Sequence, residues 1–128
     1  MKKEAIHPEG LMRRPMYSQV VKVGNTLYIS GQVARDENGN AVGAGDFRTQ
    51  IEKVFENLQI ALKSAGASLS DVVSTTTYLT NMAYVPVWGE VTAKYYGTEA
   101  PPTSTLLIIS SLAWAEFLVE IQAVAVVE

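Results

Sequence analysis

The 128-residue sequence contains no cysteine. This absence excludes disulfides, thiolate metal ligands and a cysteine nucleophile, and it is compatible with a reducing compartment. No apolar run approaches 18 residues, so the sequence predicts no membrane-spanning helix and no membrane partner. The first ten residues, MKKEAIHPEG, carry two lysines without an apolar stretch behind them. We therefore expect no secretory signal and a cytoplasmic location.

Basic residues are also scarce. The net charge is −3, and the four arginines are Arg13, Arg14, Arg35 and Arg48, of which only the first two are adjacent. A nucleic-acid partner or ribonuclease activity is not expected, because both need a concentrated positive surface. The single histidine, His7, lies in the N-terminal segment and is expected to be solvated. No metal is predicted, and neither a phosphate-binding glycine loop nor a nucleophile elbow is present.

What the sequence does contain is the composition and patterning of one globular domain over residues 1–128. Apolar residues make up 48% and charged residues 18%, and residues 1–15 are interpreted as an extended N-terminal arm. Asp46 is predicted to cap a first helix and Gly66 to end it, and Asn81 to cap a second helix. The pattern predicts strands over 17–23, 26–33, 72–79, 103–109 and 117–127, and helices over 47–65 and 82–96, the second beginning nearer residue 85 if Pro86 lies in its first turn.

The predicted order is ββαβαββ, with the last two strands pairing. It indicates a two-layer α/β domain in which two helices cover one face of the sheet. In the last strand, alternate residues are largely apolar on both sides, from Phe117 to Val126. Two helices can cover only one face, so we expect another copy of the chain to cover the second face.

Several segments together resemble one known family. The segments YSQVVKVGNTLYISGQV, VFENLQIALKSAGASLSDVVSTTTYLTNM, PPT and LVEIQAVA are similar to the RidA family, also called YjgF or UK, over roughly residues 14–127. The resemblance implies an α+β chorismate-mutase-like fold of the bacillary type, with a mixed sheet and two helices on one face. It also implies a homotrimer built around a central barrel, with small-molecule pockets between neighbouring subunits. Archetypal members hydrolyse enamines and imines released by pyridoxal-phosphate enzymes, without a cofactor, and some members are described as ribonucleases or translation inhibitors.

The sequence departs from that family pattern at Ser104. Archetypal members have an arginine there, shortly after the proline pair, and it binds the substrate carboxylate. Ser104 can donate one neutral hydrogen bond but cannot neutralise an acid, and Leu106 follows where the family is often more polar. We therefore expect weak or absent deamination of 2-iminobutanoate and 2-iminopropanoate, and a pocket for a neutral or less acidic ligand.

Other positions match the family pattern. Glu120 matches the glutamate that holds the attacking water, although it could instead pair with a neighbouring chain for structural reasons. Tyr17 and Ser18 match an aromatic-hydroxyl pair at the pocket rim; the alternative is that Tyr17 packs on the core. The tripeptide Ser30, Gly31 and Gln32 matches a second pocket element, and Gly31 would allow close backbone approach by a ligand or mark a β-bulge.

The sequence assigns no ligand-binding role to most of its aromatic residues. Trp114 lies in a loop and could cover the pocket or be a surface or interface aromatic. Trp88, Tyr95 and Tyr96 are interpreted as core and interface residues, and Gly89 stands where many members carry asparagine. Two functions remain: a cofactor-free hydrolase or deaminase acting on a small enamine, imine or carbonyl metabolite, or a non-catalytic metabolite-binding or chaperone-like trimer.

Overall fold

The chain forms six strands and two α-helices, and the computed structural model describes all residues from 1 to 128. Two short 3-10 turns are also present, at Leu69–Asp71 and at Met82–Tyr84. The elements are β1 Lys3–Ile6, β2 Val20–Val23, β3 Thr26–Gln32, α1 Phe47–Ser64, β4 Val72–Leu79, α2 Val85–Tyr96, β5 Thr103–Ile108 and β6 Val119–Val126. Neither α-helix combines the length and the apolar composition that a membrane span requires.

Both helices begin where their capping residues predict. The Asp46 carboxylate accepts a hydrogen bond from the Thr49 N–H, which satisfies one of the free donors of the first turn of α1. Gly66, with φ of +76°, follows the end of α1 in the left-handed region that glycine favours. Asn81 accepts from the Ala83 N–H and begins the 3-10 turn that leads into α2. The predicted caps and helices are confirmed.

The strand order is β1-β2-β3-β6-β4-β5, in which β4 and β5 are parallel and all other pairs are antiparallel. The expected pairing of the last two strands is wrong, because β4 lies between β5 and β6. Helix α2 connects β4 to β5 as a crossover, which requires those two strands to run parallel. The N-terminal segment also forms more than an extended arm, since its residues Lys3–Ile6 pair with β2 and become the edge strand.

Helices α1 and α2 pack on the same face of the sheet, as the sequence predicts. Phe55 of α1 is fully buried and stacks on Tyr95 of α2 with ring centroids 4.4 Å apart. The inward residues of β6, among them Ile121 and Ala123, are buried beneath the helices. The other face, called here the free face, is uncovered in the single chain and carries exposed apolar side chains, among them Tyr28, Leu107 and Val126.

Candidate functional site

The candidate site begins at an irregularity in strand β3. The register between β3 and β6 shifts between Ile29 and Gln32, so the chain bulges at Ser30 and Gly31. The carboxylate of Glu120, on β6, occupies the space beside Gly31 where a larger residue would place its Cβ atom. The close neighbour that glycine permits at position 31 is therefore the Glu120 side chain. The bulge considered from the sequence is therefore present, whereas close approach of a ligand to the Gly31 backbone stays a prediction.

Glu120 faces an open cavity of about 300 Å³. The cavity lies beside the bulge, between the segment before β2, the end of β3 and the loop before β6. Tyr17 and Phe117 contribute aromatic surface, while Ser30 and Arg35 contribute polar groups. Its lining residues are Tyr17, Ser30, Gly31, Val33, Arg35, Ala113, Phe117 and Glu120. Four of the residues singled out from the sequence therefore meet in one cavity.

The surroundings of the Glu120 carboxyl group suit a proton acceptor. Burial raises its pKa above the ordinary value, and the positive charge of Arg35 partly opposes this rise. No ion pair within 4.0 Å involves Glu120; the three in the chain are Arg48–Glu90, Lys53–Glu56 and Lys94–Glu52. A half-buried carboxylate without a protein partner can hold a water molecule and accept its proton.

Three of the residues expected to bind a ligand, Ser18, Ser30 and Gln32, form hydrogen bonds within the chain. Gln32 is buried, and its amide donates to the Gln19 side chain at 2.8 Å and to the Ser30 carbonyl at 3.1 Å. The Ser30 hydroxyl donates to the Ser18 carbonyl at 2.6 Å. These bonds hold the bulge against the segment that precedes β2. Gln32 and the Ser18 carbonyl therefore support the bulge, and contacts of these two residues with a ligand stay predictions.

Trp114 contacts the site through Arg35. The Arg35 Cζ atom lies 4.1 Å from the centroid of the Trp114 ring, and Trp114 stacks on Phe117 with centroids 5.5 Å apart. Trp114 is not among the residues lining the cavity, and through Arg35 and Phe117 it supports one of its walls. That it covers a ligand pocket stays a prediction. No sequence motif marks Arg35; its position three residues after the SGQ element is the one signal that could have indicated it.

Ser104 lies in a different cavity, of about 350 Å³, between β4, β5 and α2. Trp88, Gly89 and Tyr96 line the same space, and none of its lining side chains is charged. The strand register places the two cavities on opposite faces of the sheet. Ser104 pairs with Thr75, which pairs with Ala123 on the helix-covered face.

Glu120 pairs instead with Tyr78, three residues further along β4, and so projects from the free face. Leu106 pairs with Thr77 on the helix-covered face, where it packs against the core. One chain therefore does not bring Glu120 together with Ser104 or Leu106.

The fold and the cavity define a class of protein, namely a small α+β domain with a carboxylate beside a strand bulge. No cluster of side chains in it is suited to bind a metal ion. Residues 11–127 match the family described as Endoribonuclease L-PSP. The chain belongs to this family, which includes proteins named RidA and RutC, so the resemblance drawn from the sequence motifs is confirmed.

Individual relatives support this assignment. The chain is 35% identical over 127 residues to a 3-aminoacrylate deaminase RutC of Acinetobacter baylyi, and the match covers 98% of both chains. It is 31% identical over 112 residues to a 2-iminobutanoate/2-iminopropanoate deaminase of Dermatophagoides farinae, covering 88% of this chain and 86% of that one. The crystal structure of RidA from an Antarctic Psychrobacter species superposes with a TM-score of 0.88 at 33% identity, covering 97% of this chain and 99% of the other. The α+β fold with two helices on one face is thereby confirmed.

Proposed function

We propose that this protein is a cofactor-free hydrolase that deaminates a small enamine or imine, and that Glu120 holds the attacking water. One observation carries the proposal: a half-buried carboxylate without a protein partner faces an open cavity, and burial raises its pKa. The relatives named as deaminases of 3-aminoacrylate and of 2-iminobutanoate support the reaction class.

The reaction balances with water as the only co-reactant. An enamine first takes a proton on carbon and releases one from nitrogen, which converts it into an imine. Glu120 then accepts a proton from the bound water as the water oxygen bonds to the imine carbon, and the C=N π electrons move to nitrogen. The proton returns from Glu120 to the nitrogen, which gives a carbinolamine. Glu120 then accepts the proton of the carbinolamine hydroxyl and passes it to the nitrogen, the C–N bond breaks as ammonia leaves, and a C=O bond forms. The products are a carbonyl compound and ammonia, and Glu120 ends in its starting state.

The proposed assembly is a homotrimer whose ligand pockets lie between subunits. Glu120 and Ser104 project from opposite faces of one sheet, so a pocket that contains both requires two chains. The exposed apolar side chains of the free face provide surface for such contacts. The partner's Ser104 would then supply an uncharged wall to the pocket. We expect weak deamination of 2-imino acids for this reason, because archetypal members hold the substrate carboxylate with an arginine on that wall.

The direct test measures ammonia release from imines generated in the assay, namely 2-iminobutanoate and the neutral imine of butanone. Wild type should accelerate hydrolysis of at least one of them, and Glu120→Gln should lower the rate by about 10²–10⁴-fold because the proton acceptor is lost. Glu116→Gln is the matched control, since Glu116 is an exposed carboxylate of the preceding loop outside the cavity. It should behave as wild type does.

The alternative is a non-catalytic metabolite-binding or chaperone-like trimer. It predicts that wild type accelerates neither imine while Glu120→Gln still binds small ligands. An active Glu120→Gln variant would equally contradict the proposed role of Glu120. The mass of the assembly in solution by light scattering tests the trimer separately, since a monomer would leave each cavity with one wall only.

A further inference from the structure

Arg35 is a cation held in place at the wall of the Glu120 cavity. Its guanidinium lies over the Trp114 ring at 4.1 Å and near the Phe117 ring at 5.2 Å, measured from Cζ to each centroid. Arginine stacks on aromatic faces in this way while its N–H groups stay free at the edge of the plane. The stacking therefore fixes the position of the charge without using its hydrogen-bonding capacity.

That capacity is almost unused within the chain. The Arg35 Nε atom is buried without a hydrogen-bond partner, and Nη1 contacts only the Met12 sulfur, at 3.7 Å. No carboxylate lies within 4.0 Å of the guanidinium. A guanidinium has five N–H donors arranged to match a carboxylate, and a buried donor without a partner is costly. An acceptor supplied by a ligand would satisfy these donors.

The backbone of Arg35 is also held firmly. Asn57, a buried residue of α1, donates from Nδ2 to the carbonyls of Val33 at 3.0 Å and of Arg35 at 2.9 Å. The helix thus fixes the segment that follows β3, and Arg35 leaves that segment at a defined place. A binding group that is already positioned loses less entropy when its ligand arrives.

We propose that Arg35 binds the carboxylate of a small organic acid, so that the ligand of the Glu120 cavity is an anion. Arg35 and Glu120 line the same space of about 300 Å³ but are too far apart to pair directly, which leaves room for an acid between them. Arg35 thereby supplies the positive charge that Ser104 lacks. This inference names the substrate class for the proposed function and rests on it for the location of the site.

Binding by Arg35 is compatible with weak turnover of 2-imino acids. An acid held by Arg35 has its carboxylate on the same wall as Glu120. An acid held by an arginine at position 104 would have it on the wall contributed by the partner subunit. The two orientations present different carbons of the ligand to the water on Glu120.

The test compares pyruvate with pyruvamide, a neutral molecule of nearly the same shape, by titration calorimetry. Wild type should bind pyruvate about 10- to 100-fold more tightly than pyruvamide, the range expected for charge-assisted hydrogen bonds. Arg35→Gln should remove this preference and leave pyruvamide binding nearly unchanged. Arg35→Met, which keeps an unbranched apolar side chain against Trp114, provides a second uncharged variant if the first fails to fold. Arg48→Gln removes the same charge from the surface and should retain the preference.

The inference would be contradicted if wild type bound pyruvate and pyruvamide equally or bound neither. It would also be contradicted if Arg35→Gln kept the preference for pyruvate. Glu120→Gln separates it from the proposed function. That variant should lose turnover yet bind pyruvate at least as tightly as wild type, because a like charge has been removed. Turnover that survives in Glu120→Gln overturns the catalytic role alone. If Glu120→Gln abolishes turnover but Arg35→Gln still prefers pyruvate over pyruvamide, the present inference alone is overturned.

Discussion

The Glu120 carboxylate lies against the backbone of Gly31, in the space that a Cβ atom at position 31 would need. The bulge between Ile29 and Gln32 turns Gly31 toward the free face at this point. The missing side chain therefore makes room for the carboxylate in its half-buried position. In this way a backbone irregularity in β3 determines where the proposed proton acceptor sits on β6.

Gly31→Ala should displace Glu120, since the added methyl group overlaps the carboxylate and its carbon chain. We expect turnover to fall by about 10- to 100-fold because a misplaced proton acceptor loses its alignment. The free energy of unfolding should fall by about 1–3 kcal/mol from overpacking, as measured by urea denaturation.

Gly89→Ala is the matched control for that substitution. A Cβ atom at Gly89 meets nothing within 4 Å, and the residue lies inside α2. Alanine should therefore leave stability unchanged or raise it by up to about 1 kcal/mol, because it favours the helix. Equal effects of the two substitutions would show that the Glu120 contact at Gly31 has no special importance.

Much of the fold follows from local sequence patterns. The period of apolar residues and the caps at Asp46 and Asn81 suffice to define both helices, because helix formation depends on neighbours within one or two turns. The strand Val72–Leu79 is likewise evident from its β-branched residues. The pairing of β5 with β4 is not evident, because strand pairing is a long-range relationship that neither strand encodes alone.

Part of the candidate site can likewise be predicted from the sequence, and part of it cannot. Glu120, Tyr17, Ser30 and Gly31 can be identified because they match a family pattern, and one cavity contains them. Arg35 belongs to no such pattern, and its role depends on a stacking contact with Trp114, 79 positions away in the chain by their residue numbers. Contacts of that separation arise only when the loop before β6 folds back over the end of β3. The separation of Ser104 from Glu120 similarly depends on strand register rather than on composition.

Gln50 should be essential for holding the loop that carries Trp114. It is fully buried, donates to the Gly43 carbonyl at 3.2 Å and to the Glu116 carbonyl at 2.8 Å, and accepts from the Leu118 N–H at 2.9 Å. Gln50→Leu leaves these backbone groups without their partner. Since each unpaired buried group costs about 1–3 kcal/mol, the free energy of unfolding should fall by at least about 2 kcal/mol in urea denaturation.

Gln59→Leu controls for the change of side chain on the same helix, because Gln59 is exposed on α1. Its effect on stability should stay within about 0.5 kcal/mol. If the Gln50 variant is as stable as this control, the three hydrogen bonds do not hold the loop.

Glu120→Gln should also change how stability depends on pH. Burial raises the pKa of Glu120 above its ordinary value of about 4.5, with Arg35 opposing the rise. A carboxyl group whose pKa is raised on folding favours the folded state while it is protonated, and this contribution is lost as the pH rises through the raised pKa. Glutamine is uncharged throughout.

The difference in Tm between Glu120→Gln and wild type should therefore become more positive from pH 4 to pH 7 in thermal melts. Glu116→Gln, which removes an exposed carboxylate, controls for the change in net charge. A constant difference for the Glu120 variant across this range would show that its carboxyl group is not destabilised by burial.

Ser104→Arg tests whether a missing cation limits the hydrolysis of 2-imino acids. Ser104 is exposed at an uncharged cavity of about 350 Å³, which has room for the longer side chain. In the proposed trimer, where this wall would face Glu120 of a neighbouring subunit, an arginine there could form charge-assisted hydrogen bonds with a substrate carboxylate. We expect 2-iminobutanoate turnover to rise at least about tenfold over wild type, measured as kcat/KM from ammonia release, with little change for the neutral imine of butanone. Ser104→Gln, a long but uncharged side chain, separates charge from size and should give no gain. If Ser104→Arg folds and assembles as wild type does but shows no gain in 2-iminobutanoate turnover, the pocket differs from the archetypal one by more than one residue.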